Sequence, residues 1–132
     1  MFFHSTFDQN EFFDGDAKSG GLDDEGFIFI PPRCVNGSNQ CHLHINFHGC
    51  GVEKSWLGDG YVQRMGFLPL AEDNDVILMF PQIKHSLFNP NGCWDWWGYL
   101  GDAPLFHYAT KQGKQMRGVA RMIERVAGIE MF

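Results

Sequence analysis

The sequence predicts part of an α/β domain whose sheet is mostly parallel and flanked by helices. Three features carry that expectation. Residues 42–48 alternate apolar and polar side chains, residues 57–71 place apolar groups at helical spacing, and residues 76–80 form an unbroken apolar run. A strand, a helix and a second strand in that order build a parallel pair with a right-handed crossover. Parallel sheets are covered on both faces, which two or three strands cannot achieve alone. The chain therefore reads as an incomplete α/β domain.

Taken in order, residues 1–25 mix Phe, Gly and acids and read as an irregular, acidic, solvated N-terminal segment, with residues 26–132 forming the α/β unit. Residues 26–30 (Gly-Phe-Ile-Phe-Ile) are a short strand stopped by Pro31 and Pro32, which lack a ladder N–H. In 42–48, Leu43, Ile45 and Phe47 share one face and His42, His44, Asn46 and His48 the other, until Gly49 ends the strand. Leu57, Tyr61, Met65 and Leu68 mark a helix over 57–71 that Pro69 kinks or restarts. The run 76–80 suits a strand buried on both faces, closed by Pro81. Residues 83–109 hold Asn89-Pro90-Asn91-Gly92 and a tryptophan cluster and read as a long functional loop. The strongest helix spans 110–127: Met116, Val119, Ala120, Ile123, Val126 and Ala127 form its apolar stripe, and Gly128 ends it.

The length of 132 residues suits one domain, and 44% hydrophobic with 20% charged residues excludes wholesale disorder. Aromatic residues reach 15%, with 13 Phe and 4 Trp, so large planar groups are buried or offered to a ligand. Apolar runs of four or five residues fall far short of a membrane span. The net charge of −6 lies entirely in residues 1–25, where seven acids face only Lys18; the remainder carries nine acids and nine bases. No basic groove exists, which argues against nucleic acid. Met1, Phe2, Phe3 and His4 lack the basic start and apolar core of a signal peptide.

Four cysteines point to an oxidising compartment. Cys34 and Cys41 flank an Asn-Gly turn just outside strand-like runs, so a disulfide closing that loop is geometrically easy. Cys50 and Cys93 sit at the ends of other elements and can form a second bridge. Zinc competes for these thiols, but there is no Cys-x-x-Cys pair and the His-Cys spacings fit no finger or ribbon. Asn36-Gly37-Ser38 is a glycosylation sequon on the same loop.

Candidate chemistry concentrates at two places. His48-Gly49-Cys50-Gly51 follows a strand directly, and such a turn leaves backbone N–H groups at the strand end, able to stabilise an oxyanion. The His-Gly-Gly-Gly loop of lipases and esterases occupies the same topological place. In 89–99, Trp94, Trp96 and Trp97 fall within four residues and suggest an apolar, ester- or sugar-sized cleft wall. His42 and His44 share a strand face and can both reach a metal, but His48 lies about 20 Å from His42 along an extended strand, so packing roles are expected instead. Of the serines Ser5, Ser19, Ser38, Ser55 and Ser86, none lies in Gly-x-Ser-x-Gly or between a strand and a helix. Cys50 as a nucleophile would be silenced by a disulfide. No convincing triad is present.

The order Gly26-Phe27-Ile28-Phe29-Ile30-Pro31, Cys41-His42-Leu43-His44, His48-Gly49-Cys50, Phe80-Pro81-Gln82, then Asn89-Pro90-Asn91-Gly92-Cys93-Trp94-Asp95-Trp96-Trp97-Gly98-Tyr99 and Tyr108-Ala109-Thr110-Lys111 resembles the C-terminal half of polyhydroxybutyrate depolymerases, an esterase family, above all the fungal-type extracellular ones. The resemblance covers nearly the whole chain. It implies a partial, circularly permuted α/β-hydrolase, an oxyanion-hole N–H from Cys50, bridges Cys34–Cys41 and Cys50–Cys93, and a crevice for one polyester strand walled by Trp94, Trp96 and Trp97. It also implies that the serine, aspartate and histidine of the triad come from an earlier, missing N-terminal half, so that this chain alone is inactive. His107 has no motif support as the absent base. No cofactor or metal is expected. The alternative is a non-catalytic module that holds polyester or glycan with its Trp-rich loop; a histidine-row metalloprotein is a third reading.

Overall fold

A computed structural model describes residues 4–36, 40–101 and 107–131. Within them, one sheet contains β1 (Ser5–Asp8), β2 (Glu25–Phe29), β3 (His42–Ile45) and β4 (Val76–Phe80), in the spatial order β1-β2-β4-β3. The helices are α1 (Lys54–Leu57), α2 (Gly60–Arg64), α3 (Phe67–Asp73) and α4 (Lys114–Ala127).

The apolar run 76–80 becomes β4, an interior strand between β2 and β3. Its Leu78 and Phe80 pack with Phe27, Phe29, Val62, Leu68 and Ala71 on one face. Met79 packs on the other with Leu22, Ile83, Val119 and Met122, against which Ile28, Leu43 and Ile45 also lie. A strand covered twice needs apolar side chains in both phases, which is why this segment does not alternate.

β3 and β4 run parallel, His42 beside Val76, with α1 to α3 as the crossover. The expectation of a mostly parallel sheet is corrected elsewhere: β1–β2 and β2–β4 are both antiparallel. Between β1 and β2 the chain passes through two 3-10 turns, Asn10–Phe12 and Ala17–Gly20, that pack into the core on one face and bring β2 back antiparallel to β1.

Residues 1–25 are also corrected. Far from an irregular strap, they supply β1 and, through Phe12, Phe13, Ala17 and Leu22, much of one core cluster. Their acids Asp14, Asp16 and Asp24 do remain exposed. Gln9, wholly buried, donates to the Asp23 and Gln82 carbonyls (2.7 and 3.0 Å) and accepts from the Gln82 N–H (3.0 Å). The phenylalanines, not the charges, decide where this segment sits.

The single helix expected over 57–71 is three short ones. Gly66, with φ of 77°, interrupts it immediately before α3. Pro69 then lies in the first turn of α3, where a missing N–H costs nothing. Helix α4 starts at Lys114, and its inward face is Gln115, Gly118, Val119, Ala120 and Met122; Met116 and Ala127 face outward. The stripe is rotated because the Phe13 ring packs where Gly118 has no side chain.

Candidate functional site

The site begins where β3 ends. Asn46 extends the ladder by one bond to the Met79 carbonyl (2.9 Å), and its Oδ1 accepts from the Tyr61 hydroxyl (3.0 Å). The alternation then breaks: Phe47 stands 51% exposed while His48 is buried. His48 Nε2 accepts from the Ile83 N–H (3.0 Å), so Nδ1 carries the proton and donates to the Gly49 carbonyl (2.8 Å). Burial holds its pKa below the ordinary value, against the hydrogen bond to Gly49 and the Glu53 charge. A neutral imidazole using both nitrogens is a strut between the two strand ends, not a base. His44 packs edge-on to Phe67 of α3 with ring centroids 5.6 Å apart.

Gly49, Cys50 and Gly51 form an exposed turn. Two links tie it to the tryptophan loop: the Cys50–Cys93 disulfide and a hydrogen bond from the Gly51 N–H to the Asn91 carbonyl (2.7 Å). No hydrogen bond engages the Cys50 N–H among the described residues. Cys34 and Cys41 are also bridged. The Asn36 sequon runs into residues outside the described ones.

The loop is shaped by its own polar side chains. Asn89 accepts from the Cys93 N–H (2.9 Å) and donates to the Cys93 carbonyl (2.8 Å). Asp95 Oδ1 accepts from the N–H groups of Trp97, Gly98 and Tyr99 (3.3, 2.6 and 3.0 Å), and Oδ2 from that of Leu100 (3.3 Å). The Asp95 N–H is in turn held by Gln115 of α4 (2.8 Å). One carboxylate thus gathers four donors into a tight turn. The Tyr99 hydroxyl donates to the Cys93 carbonyl (2.9 Å), and burial pushes its pKa up to about 12.

The three tryptophans part company. Trp96 is 70% exposed and Trp97 39%, their rings edge-to-face at 5.1 Å. Trp94 is half-buried, edge-on to Phe47 at 5.0 Å, in a groove of about 380 Å³ shared with Tyr108, Gln115 and Met116. Its Nε1 is buried with no hydrogen-bond partner among the described residues.

Sequence reasoning missed one cluster. Glu53, fully buried, accepts from the His85 backbone N–H (2.6 Å), from the Ser55 hydroxyl and from His85 Nδ1 (2.5 Å), while Trp56 stacks on the His85 ring. Ser, His and Glu here do not make a relay. A triad needs the hydroxyl and the acid on opposite ring nitrogens, and both meet Nδ1. The cluster instead fixes the loop: Gly92 has φ of 60°, and any side chain there would strike the Glu53 carboxylate at 2.6 Å. No spacing signal linked His85 to Glu53, since 32 residues separate them.

The described residues thus form a mixed sheet flanked by helices, with an exposed turn after a strand tied by a disulfide to a loop that carries two exposed indoles. No family model matches the chain. A polyhydroxybutyrate depolymerase of Talaromyces funiculosus is 34% identical over 98 residues, covering 66% of this chain and 29% of its own length. A poly(3-hydroxybutyrate) depolymerase of Delftia acidovorans is 33% identical over 122 residues, 92% of this chain and 23% of its own. Among solved structures, a PHB depolymerase variant complexed with an R3HB trimer and the PHB depolymerase of Penicillium funiculosum each superpose with a TM-score of 0.75 at 29% identity, covering 97% of this chain and 42% of theirs. The chain is a relative of the polyhydroxybutyrate depolymerases and spans less than half the length of those it matches.

Proposed function

We propose that this chain supplies the oxyanion-holding corner and aromatic flank of a serine esterase that hydrolyses short-chain hydroxyalkanoate polyesters. The observation that carries the reading is the conjunction of the exposed Cys50 turn, whose N–H makes no hydrogen bond among the described residues, with exposed Trp96 and Trp97, in a relative of PHB depolymerases. Ester cleavage passes through a tetrahedral intermediate whose oxygen becomes an anion, and a rigid N–H aimed at it lowers the barrier by about 2.7–4 kcal/mol. The disulfide to Cys93 and the Gly51–Asn91 hydrogen bond provide that rigidity. The indoles form the apolar side of a crevice for the polymer strand, with Trp94 set deeper against Phe47.

In this reading the nucleophilic serine, its histidine and its acid belong to polypeptide outside this chain, in a circularly permuted α/β-hydrolase domain. The described residues fit that division, because among them the Ser55-His85-Glu53 grouping has relay-incompatible geometry. Two disulfides and fungal relatives support an extracellular setting, with Asn36 as a glycosylation site.

The test is hydrolysis of p-nitrophenyl butyrate. The purified chain should show no turnover; turnover that survives replacement of every serine would overturn the reading. A second reading, a non-catalytic polyester- or glycan-binding module, draws on the 70% exposure of Trp96. It requires that the isolated chain bind polymer granules and that Trp96→Ala or Trp97→Ala abolish this.

A further inference from the structure

We infer that the pocket between residues 18–22 and the loop from Lys84 to Leu100 binds the carboxylate end of a short hydroxy acid, the class of product that cleavage of a hydroxyalkanoate ester releases. The choice of ligand rests on the esterase reading above and adds a place where the released acid is held. Hydrolysis breaks the acyl C–O bond; water gives its hydroxyl to the acyl carbon and its proton to the leaving oxygen. Each cut therefore leaves one alcohol and one carboxylic acid, which is ionised at neutral pH.

The N-terminal segment carries seven acids and a single base, Lys18. That lysine lines a cavity of about 330 Å³ together with Lys84 and His85, and no acid is among the lining residues. Clefts that hold small ligands start at about 300 Å³. The Lys18 ammonium makes no ion pair or hydrogen bond among the described residues, and that of Lys84 has only Asp23, at 3.9 Å. His85 Nδ1 is occupied by Glu53 (2.5 Å), while its Nε2 makes no hydrogen bond among the described residues. In a chain of net charge −6, this pocket is a place where an anion is attracted rather than repelled.

The remaining walls say which anion. Leu22, fully buried, and the half-buried Leu100 give the pocket an apolar lining, and Phe88, 75% exposed, extends it outward. The Ser86 hydroxyl, also in the lining, makes no hydrogen bond among the described residues. A short hydroxy acid has the complementary parts: a carboxylate for the lysines, a few carbons for the leucines and a hydroxyl for Ser86. The pocket is also tied to the turn at Cys50. Glu53 holds the His85 backbone, and Tyr99, another lining residue, donates to the carbonyl of Cys93, whose disulfide reaches Cys50. The released acid is thus held on the same cross-linked loop as the indoles.

The test is titration of sodium 3-hydroxybutyrate into the 132-residue chain, followed by amide resonances. Those of Lys84, Ser86 and Leu100 should shift, with half-saturation at about 1 mM or below, and that of Thr6 in β1 should not. Methyl 3-hydroxybutyrate lacks the charge and should bind about tenfold more weakly. Inorganic phosphate lacks the carbon body and should bind about threefold more weakly. Lys18→Gln, at an exposed side chain, should weaken binding about threefold, and adding Lys84→Gln should bring the loss to about tenfold. Lys114→Gln, on α4 outside the pocket, should change nothing. The inference is overturned by unshifted amides at the pocket, by ester or phosphate binding as tightly as the acid, or by full affinity in the double lysine variant. Binding is read without turnover, so its failure leaves the esterase reading in place. Serine-independent hydrolysis of p-nitrophenyl butyrate removes that reading and leaves the carboxylate pocket standing.

Discussion

At one margin of the sheet, β1 turns Ser5, Thr6 and Asp8 to solvent, and just beyond it the buried Gln9 joins Asp23, ahead of β2, to Gln82, just past β4, through three hydrogen bonds. At the other, β3 borders two apolar grooves, and the turn after it is held by a disulfide, the His48 strut and loop hydrogen bonds. The first margin is finished by polarity, as free sheet edges are. The second keeps its geometry by cross-linking rather than burial. A site corner that must stay exposed cannot be stabilised by covering it, so covalent and polar ties carry the load.

The largest expected effect tests that difference. The Cys50–Cys93 bridge closes a separation of 43 residues and Cys34–Cys41 one of 7. Loop-closure entropy gives about 4 kcal/mol for the first and about 2 kcal/mol for the second. Replacing both cysteines of each pair by Ser should reproduce that order in urea midpoints, and an inverted order would break the comparison. Next, Gln9→Ala should cost about 2 kcal/mol, because it strands a buried N–H and two carbonyls at the β1 margin. Equilibrium unfolding reads the loss.

Titration sharpens the picture at the β3 margin. His48 has a lowered pKa in the fold, so the unfolded chain takes up its proton first and stability falls as pH drops below about 6.5. Tyr99 has a raised pKa, near 12, so the unfolded chain loses its proton first and stability falls between about pH 10 and that value. Thermal melts across both windows should show each slope, and His48→Gln and Tyr99→Phe should remove them in turn. The smallest effect is at the polar margin: Thr6→Val, exposed on β1, should shift stability by less than about 0.5 kcal/mol.

The legible parts of the fold were those written in local pattern. The run 76–80 had no polar residue in either phase and became the interior strand, and residues 42–48 alternated and became β3 through Ile45. Both disulfides appear where the cysteines flank turns and element ends. The tryptophan loop stood out by composition, yet nothing in its residue types distinguished the indole set against Phe47 from the two left in water. In residues 1–25 the charge density points to solvent, while the four apolar side chains Phe12, Phe13, Ala17 and Leu22 fix the segment in the core.

By itself, the chain's order of residues determined that a strand–helix–strand unit forms, that the turn at Cys50 follows its first strand, and that the family resemblance covers only part of a domain. These depend on periodicity and on neighbours a few positions apart. Tertiary structure decided the rest. It set β1 and β2 antiparallel, rotated α4 so that Phe13 rests on Gly118, turned His48 inward to Ile83, and tied the Trp loop to Glu53, Gln115 and Cys50. Each of those outcomes joins residues far apart in sequence, and such contacts are chosen by shape and by the need to satisfy buried polar groups, neither of which leaves a local pattern to read.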